Sequence, residues 1–535
     1  MNHQTIPALE LNAEGLDLND PQVLLSTLKA LRQLVADEGQ AIFSRWRSHI
    51  HRQAFLHSAL NLSHYLALRR HDLRDLQAAL MPWGLSSLGR SESRVMPNLD
   101  AVIATLSAVC GAQNPPARPP IEAFFEGDRL LKQHTEDLFG PPPARRQVRI
   151  MVTLPTEAAT DYGLVCEMLR RGANCVRINC AHDTPEIWTQ MIDQVRRAEQ
   201  ETGTSCKVMM DLGGPKIRTG AVLSPIGQSR VFRGDTLILA RQLPQPSDPI
   251  DAAHPPAGDR FYITCTLPEV LDRLTDGATV YIDDGKLRTR VIDSHYPLPN
   301  GQVGLLLQVT HASPKGTKLR PEKGLNFPGT ALHLSPLTAK DLDDLDFVAT
   351  HADIVGYSFV QQPDDITLLQ TELRQRLGNA KTDCAANPEV SAKIPAIVAK
   401  IETALAVSNL PELIVYAAGQ QSFGVMIARG DLAVEIGYQR LIEIQEEILW
   451  LCEAAHVPVI WATQVLESLV KKGAPSRGEM TDAAMAERAE CVMLNKGRFV
   501  TEAIAILDDV LARMETHQLK KTPQLRALHS WLHRS

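Results

Sequence analysis

Residues 397–431 read IVAKIETALAVSNLPELIVYAAGQQSFGVMIARGD, and the fold turns on them. The stretch opens on one apolar run, Ile397–Ile401, and closes on another, Val425–Ala428, with a helical segment between. Runs that are apolar at nearly every position suit strands buried on both faces, as in a parallel sheet. The same rhythm extends outward in both directions. Val148–Val152, Cys175–Ile178, Lys207–Met210 and Ile354–Tyr357 precede the stretch, and Val459–Ala462 and Cys491–Leu494 follow it. Amphipathic segments separate most of them; residues 438–453 place Leu441, Ile444, Ile448 and Leu451 along one stripe. Eight strand–helix units predict an α/β fold, a (β/α)8 barrel.

One unit is far longer than the rest. Between the third and fourth runs lie pieces such as VFRGDTLIL, ATVYIDDGKL and GLLLQVT, with turn signals at Asp276-Gly277, Asp284-Gly285 and Asn300-Gly301. These predict an all-β domain over 220–322, inserted between barrel segments 147–219 and 323–515. An insertion after a barrel strand lands on the C-terminal face, where a mobile lid would cover a site. Prolines punctuate the chain at Asn114–Pro120, Gly140–Arg146 and Gln242–Pro256.

Ahead of Gly140 the pattern is helical, over 21–38, 42–61 and 63–80. His49, His51, His57, His64 and His71 are spaced too irregularly for a metal site and are expected to lie on the surface or pack between helices. GLSSLGRSESR at 84–94 reads as a connector. Residues 1–140 are therefore assigned as a helical region and 516–535 as a tail.

Composition narrows the function. The 535 residues are 44% hydrophobic and 22% charged, with 55 Lys+Arg against 62 Asp+Glu and a net charge of -7. No global basic field favours nucleic acid. No run is long enough to span a membrane, and the first fifteen residues lack a signal-peptide pattern. Nine cysteines without a C-x-x-C argue against a disulfide framework or a zinc ribbon. A cytoplasmic location is expected.

The C-terminal tips of the runs carry the chemistry: Thr153, Arg177 with Asn179, Asp211, Ser358, Lys400 with Glu402, Arg429-Gly430-Asp431, Thr463, and Asn495-Lys496. Glu402 and Asp431 suit one hard cation such as Mg²⁺, or else salt bridges with Lys400 or Arg429. Arg177, Arg218, Lys323 and Lys400 suit a phosphorylated substrate. Neither GxxxxGK[ST] nor GxGxxG occurs, so phosphate chemistry here is neither P-loop nor Rossmann.

From Val148 to Leu511 the chain resembles the pyruvate kinase family. VRINCAH (176–182) is similar to the family's ARLNFSH, DLGGPKIRTG (211–220) to DTKGPEIRTG, and KGLNFPG (323–329) to KGVNLPG. AKIET (399–403) and ARGDLAVEI (428–436) are similar to AKIEN and ARGDLGIEI, and WATQVLESLVKKGAPSRGEMTD (461–482) follows the family nearly throughout. The resemblance implies transfer of the phosphoryl group of phosphoenolpyruvate to ADP, giving pyruvate and ATP. By position it implies Glu402 and Asp431 as Mg²⁺ ligands, with Mn²⁺ as an alternative ion. Lys400 and Arg177 would then serve the phosphoryl group, and Gly430, Asp431 and Thr463 the pyruvate end. Asn179, His182, Arg218 and Lys323 would face the nucleotide.

Several positions depart from the family. Around the monovalent-cation position Asn179 and Asp211 remain, but Ala181 and Leu212 replace a Ser and a Thr, and Lys216 replaces a Glu. An ammonium there can supply the charge an ion otherwise brings, so activity without K⁺ is expected. TLPTEA after the first strand, Ala433, MLNKGR after the last strand and the added loop AAGQQSFG also differ. The resemblance stops before the family's C-terminal effector domain, so that regulation is not carried over. Two rival readings are an enzyme acting on another enol phosphate or oxo acid, and a catalytically weak metabolite sensor. In the second, residues 1–140 would dock a homo-oligomer or protein partner and their deletion would spare catalysis.

Overall fold

The computed structural model describes residues 17–225, 227–244, 260–383 and 394–523. The expectations for the first fifteen residues, for most of Gln242–Pro256 and for the end of the tail lie outside these.

Eight parallel strands close a barrel: β1 (Arg149–Thr153), β2 (Cys175–Asn179), β3 (Lys207–Asp211), β4 (Ile354–Tyr357), β5 (Ala396–Ile401), β6 (Phe423–Ala428), β7 (Val459–Ala462) and β8 (Cys491–Leu494). Their order is β1-β8-β7-β6-β5-β4-β3-β2, so chain neighbours are spatial neighbours throughout. Alternate residues explain the unbroken apolar runs. Met151, Cys175, Met209, Ile354, Val398, Met426, Ile460 and Met493 pack together in the barrel interior. The residues between them, such as Val152, Val176, Val208 and Val355, pack outward into the larger core shared with the helices. Side chains alternate between the two faces of a strand, and in a barrel both faces are dry.

The lid lies between β3 and β4 as a seven-stranded sheet running from Thr219–Leu223 to Leu325–Asn326. It has its own core around Leu237, Ile263, Val280 and Leu307. At the turns Gly277 and Gly285 have φ of 88° and 80°, a left-handed conformation that a Cβ disfavours.

The helical region is bonded tightly to the barrel. It comprises α1 (Pro21–Trp46), α2 (Leu56–Leu68), α3 (Arg74–Leu80), α4 (Val95–Val109) and α5 (Ile121–Phe139). Periodicity alone predicted a break near residue 40, yet α1 runs unbroken to Trp46 and the chain turns between 47 and 55. The cause is tertiary. The backbone N–H groups of His51 and Arg52 both donate to the carbonyl of Gly419, at 2.9 and 2.7 Å. Gln420 Nε2 donates to the carbonyl of His49 at 3.0 Å, and the His49 ring stacks on Tyr416 at 4.2 Å. The loop AAGQQSFG, an oddity in the barrel sequence, is thus a seat for the helical region.

α5 closes the bottom of the barrel. Leu138 and Phe139, each 1% exposed, join the interior cluster near the N-terminal ends of the strands. Gly424 on β6 makes room, since a Cβ there would lie 2.5 Å from Leu138 Cδ2. The buried Arg149 at the start of β1 donates from Nη2 to the carbonyl of Gly140 at 2.7 Å, fixing the chain just past the end of α5. The region is therefore part of the barrel's core packing.

A histidine holds the same junction. His456, fully buried, receives a hydrogen bond at Nδ1 from Ser58 Oγ at 2.9 Å and donates from Nε2 to the carbonyl of Ser93 at 3.1 Å. Its own carbonyl lies 2.7 Å from His134 Nδ1. Burial pushes its pKa down to about 3, and burial likewise lowers His57, His134 and His64, the last to about 4. A depressed folded-state value means that the unfolded chain takes up protons first. The contribution is complete above about pH 6.5 and drains away as pH falls toward the folded values. Apparent melting temperature should therefore drop steeply between neutral and mildly acidic pH, and less steeply in His456→Gln. Equal slopes in the two proteins would contradict this.

Among the described residues no helix is long and apolar enough to cross a membrane.

Candidate active site

The C-terminal ends of the strands surround a cavity of about 200 Å³. β5 sets its centre. Lys400 points into it, and Glu402, one residue beyond the strand, follows two positions later on the same face. The Lys400 ammonium donates to Ser358 Oγ at 2.7 Å and lies 3.2 Å from Glu402 Oε1 and 3.5 Å from Asp211 Oδ2. Ser358, at the tip of β4, in turn donates a hydrogen bond from its hydroxyl to the carbonyl of Leu212 at 2.7 Å. Glu402 Oε2 accepts from the backbone N–H of Phe359 at 2.7 Å.

The electrostatics follow from burial and pairing. Burial lowers the Lys400 ammonium, but Asp211 and Glu402 outweigh it and hold the group above its ordinary value. Burial raises Asp211, yet Lys400 and Arg177 outweigh it and keep the carboxyl below its usual range. Glu402 is raised, chiefly by burial and further by the negative charge of Asp431, with Lys400 opposing. Asp211 is 1% exposed, and its Oδ1 has no hydrogen-bond partner among the described residues. Arg177 donates from Nε to Asp211 Oδ2 at 2.7 Å and from Nη1 to Thr153 Oγ1 at 3.2 Å.

The opposite wall is the start of the helix Arg429–Ile436, which follows β6. Asp431 in its first turn holds the ammonium of Lys216, at 2.8 and 3.1 Å from its two carboxylate oxygens. The N–H of Gly430 donates to Thr463 Oγ1 at 3.0 Å. Thr463 and Gln464 have φ of 65° and 59°, a left-handed turn unusual for a β-branched residue. Arg429 sustains that turn: it donates to the carbonyls of Ala462 at 2.8 Å and Thr463 at 2.6 Å, pairs with Asp482, and lies over the Trp461 ring. Arg429 is thus a brace, and Asp431 is left facing the cavity.

The remaining positions divide. Asn179, Arg218, Ala181 and Leu212 line the cavity, and Asn179 Oδ1 accepts from the N–H of Ala181 at 3.2 Å. His182 does not line it; the residue is exposed, and its carbonyl accepts from Trp188 Nε1 at 3.1 Å. Lys323 does not line it either. Its ammonium lies 3.5 Å from Asp283, over a separate groove on the lid with Arg230, Lys286, Lys318 and Arg320. Two groups had no role in the sequence reading: the Ser358 hydroxyl and the Phe359 N–H, which hold Lys400 and Glu402. Ser358 was visible as a polar residue at a strand tip, while the N–H of an apolar residue leaves no trace in sequence. Among the described residues no group of three or more His, Cys, Asp or Glu gathers as a metal site.

The family model "Pyruvate kinase, barrel domain" matches residues 145–504, two thirds of the chain. The chain belongs to the pyruvate kinase family. It is 29% identical over 376 residues to a pyruvate kinase of Dictyostelium discoideum, covering 69% of this chain and 66% of that protein. It is 30% identical over 382 residues to one of Methylorubrum extorquens, covering 70% of each. The match to pyruvate kinase PKLR of Rattus norvegicus is 29% identical and covers 61% of that protein. The chain thus spans roughly two thirds of the length of the curated family members it matches. A crystal structure of a pyruvate kinase from Cryptosporidium parvum aligns with a TM-score of 0.56 at 27% identity, covering 71% of this chain and 72% of that one.

Proposed function

We propose that the chain transfers the phosphoryl group of phosphoenolpyruvate to ADP at the C-terminal mouth of its barrel. The observation that carries this reading is the buried Lys400 ammonium, held between Asp211, Glu402 and Ser358 and kept charged. In the reaction the bond between phosphorus and the enol oxygen breaks while a terminal oxygen of ADP bonds to phosphorus. Such transfers depend on positioning and charge stabilisation more than on covalent chemistry. Lys400 and Arg177 are the cations within the cavity that meet the phosphoryl oxygens. The Gly430–Asp431 backbone and Thr463 hold the three-carbon acid. The Thr463 hydroxyl accepts from Gly430 and so keeps its own proton free to donate, which suits a proton path to the enolate carbon. Asn179 and Arg218 form the nucleotide side of the cavity. Lys323, on the lid, belongs to that side only if the lid moves, and His182 only if the loop after β2 turns inward.

The donor set fits a hard divalent cation. Glu402 and Asp431 line one cavity, feel each other's charge, and are each met by an ammonium. They are the residues that would hold Mg²⁺ or Mn²⁺. When bound, the ion supplies a double positive charge to the phosphoryl oxygens.

Lys216 supports independence from K⁺. Its ammonium enters the same cavity as Asn179 and Asp211, and Ala181 and Leu212 offer no side-chain oxygen there. Turnover in K⁺ and in tetramethylammonium at equal ionic strength should agree within about twofold, because a tethered ammonium replaces the ion's charge. A large requirement for K⁺ would contradict it. The activity itself is tested by pyruvate release from phosphoenolpyruvate, ADP and Mg²⁺ in a coupled assay. Steady release supports the reading; no release, with turnover of a different enol phosphate or oxo acid, overturns it.

A further inference from the structure

A second cavity, of about 460 Å³, lies where the helical region, the barrel and the C-terminal strand pair Gln518–Leu519 and Thr522–Pro523 meet. It shares no lining residue with the cavity at the barrel mouth. Its walls include Tyr65 and Arg69 from the end of α2, Glu92 from the connector, Trp450 from the barrel helix Tyr438–Ala454, and Lys521.

Two features mark it as built for a ligand. The first is excess positive charge on aromatic surfaces. The Arg69 guanidinium carbon lies 5.0 Å from the Trp450 ring centre and 5.5 Å from that of Tyr65, and the Lys521 ammonium lies 5.0 Å from Trp450. Arg69 donates to the Tyr65 hydroxyl at 2.6 Å and forms no ion pair among the described residues. The second is unmet hydrogen bonding. Glu92 is 3% exposed; one carboxylate oxygen takes the Lys521 ammonium, while the other, Oε2, has no partner among the described residues. Trp450 Nε1 and His71 Nε2, on the same walls, are also buried and unpartnered there. Folded proteins leave few such groups unsatisfied, and each calls for an explanation.

The chemistry of the walls specifies the ligand. A guanidinium without a carboxylate partner and an indole N–H ask for an anion, and an unmet carboxylate oxygen asks for a donor. We propose that this cavity binds a small organic anion that also carries an amine or hydroxyl donor, its anionic end on Arg69 and its donor on Glu92. The site stands whether or not the barrel mouth has the activity assigned to it, because the test reads binding alone.

The test is calorimetric titration of the full-length chain with four probes: L-threonine, glycerol 3-phosphate, inorganic phosphate and glycerol. Saturable one-to-one binding of L-threonine or glycerol 3-phosphate is expected, and whichever binds tells an amine donor from a hydroxyl one. Arg69→Met keeps an apolar stem on the rings, and Arg69 is solvent-exposed, so folding should survive. It should weaken binding about tenfold, as expected for a lost charge-assisted hydrogen bond. Glu92→Gln should weaken the organic probes too. No saturable binding by either organic anion would overturn the proposal. So would unchanged affinity in both variants, or inorganic phosphate or glycerol binding as tightly as glycerol 3-phosphate.

Discussion

Lys400→Met is expected to lower kcat by about a thousandfold, the upper part of the range seen when one preorganised electrostatic contact to a transition state is removed. KM for phosphoenolpyruvate should move far less, because Arg177 and Thr463 remain. A fall in kcat with KM held is the mark of an interaction made mainly in the transition state. The substitution also leaves Asp211 and Glu402 without the ammonium 3.5 and 3.2 Å away, so both carboxyls should rise in pKa; raising pH re-ionises them but restores no ammonium, and turnover should stay low. Near-ultraviolet circular dichroism identical to the parent's would place the loss in chemistry. Parental turnover in Lys400→Met would mean that the cavity is not where the reaction occurs.

Removal of residues 1–139 is expected to abolish soluble, folded protein, and activity with it. The helices do not rest on the barrel from outside. Leu138 and Phe139 fill the interior at the strands' N-terminal ends, and α1, α2 and α4 share one continuous core with the barrel. The truncated chain would expose that core along with the unmet polar groups of Gly419 and His456. A milder version isolates the plug. Phe139→Ala should cost about 3–5 kcal/mol of packing, the usual penalty for emptying a buried aromatic site. Phe125→Ala, at a side chain 51% exposed, should stay within about 0.5 kcal/mol of the parent. Denaturant midpoints of the two variants check this; an active truncated barrel would refute it.

Much of the barrel was legible because both faces of a barrel strand are buried. The runs at Ile354–Tyr357, Val459–Ala462 and Cys491–Leu494 coincide with β4, β7 and β8, and the others differ at one end or both by a residue or two. The lid was legible through its Asp-Gly and Asn-Gly turns, where positive φ leaves a chemical signature. Helix boundaries in the N-terminal region were not, because a contact with Gly419, far away in sequence, ends α1 rather than any local breaker. At the mouth, spacing put Lys400, Glu402 and Asp431 at the C-terminal ends of β5 and β6, and all three line the cavity there. It did not show where long side chains reach. Lys216 selects Asp431, and Lys323 selects Asp283 on the lid, since a flexible ammonium goes to the carboxylate within range. The seat for the helical region was hidden for a related reason. AAGQQSFG reads as an insertion until the chain that covers it is in view.

The central claim is that this mouth moves a phosphoryl group between two substrates. ³¹P NMR of phosphoenolpyruvate and ADP with Mg²⁺ and the full-length chain observes that transfer directly. The account predicts loss of the phosphoenolpyruvate resonance with matching growth of the three ATP resonances, and no growth in the Lys400→Met protein. Persistence of phosphoenolpyruvate, or its conversion to inorganic phosphate without ATP, would contradict it.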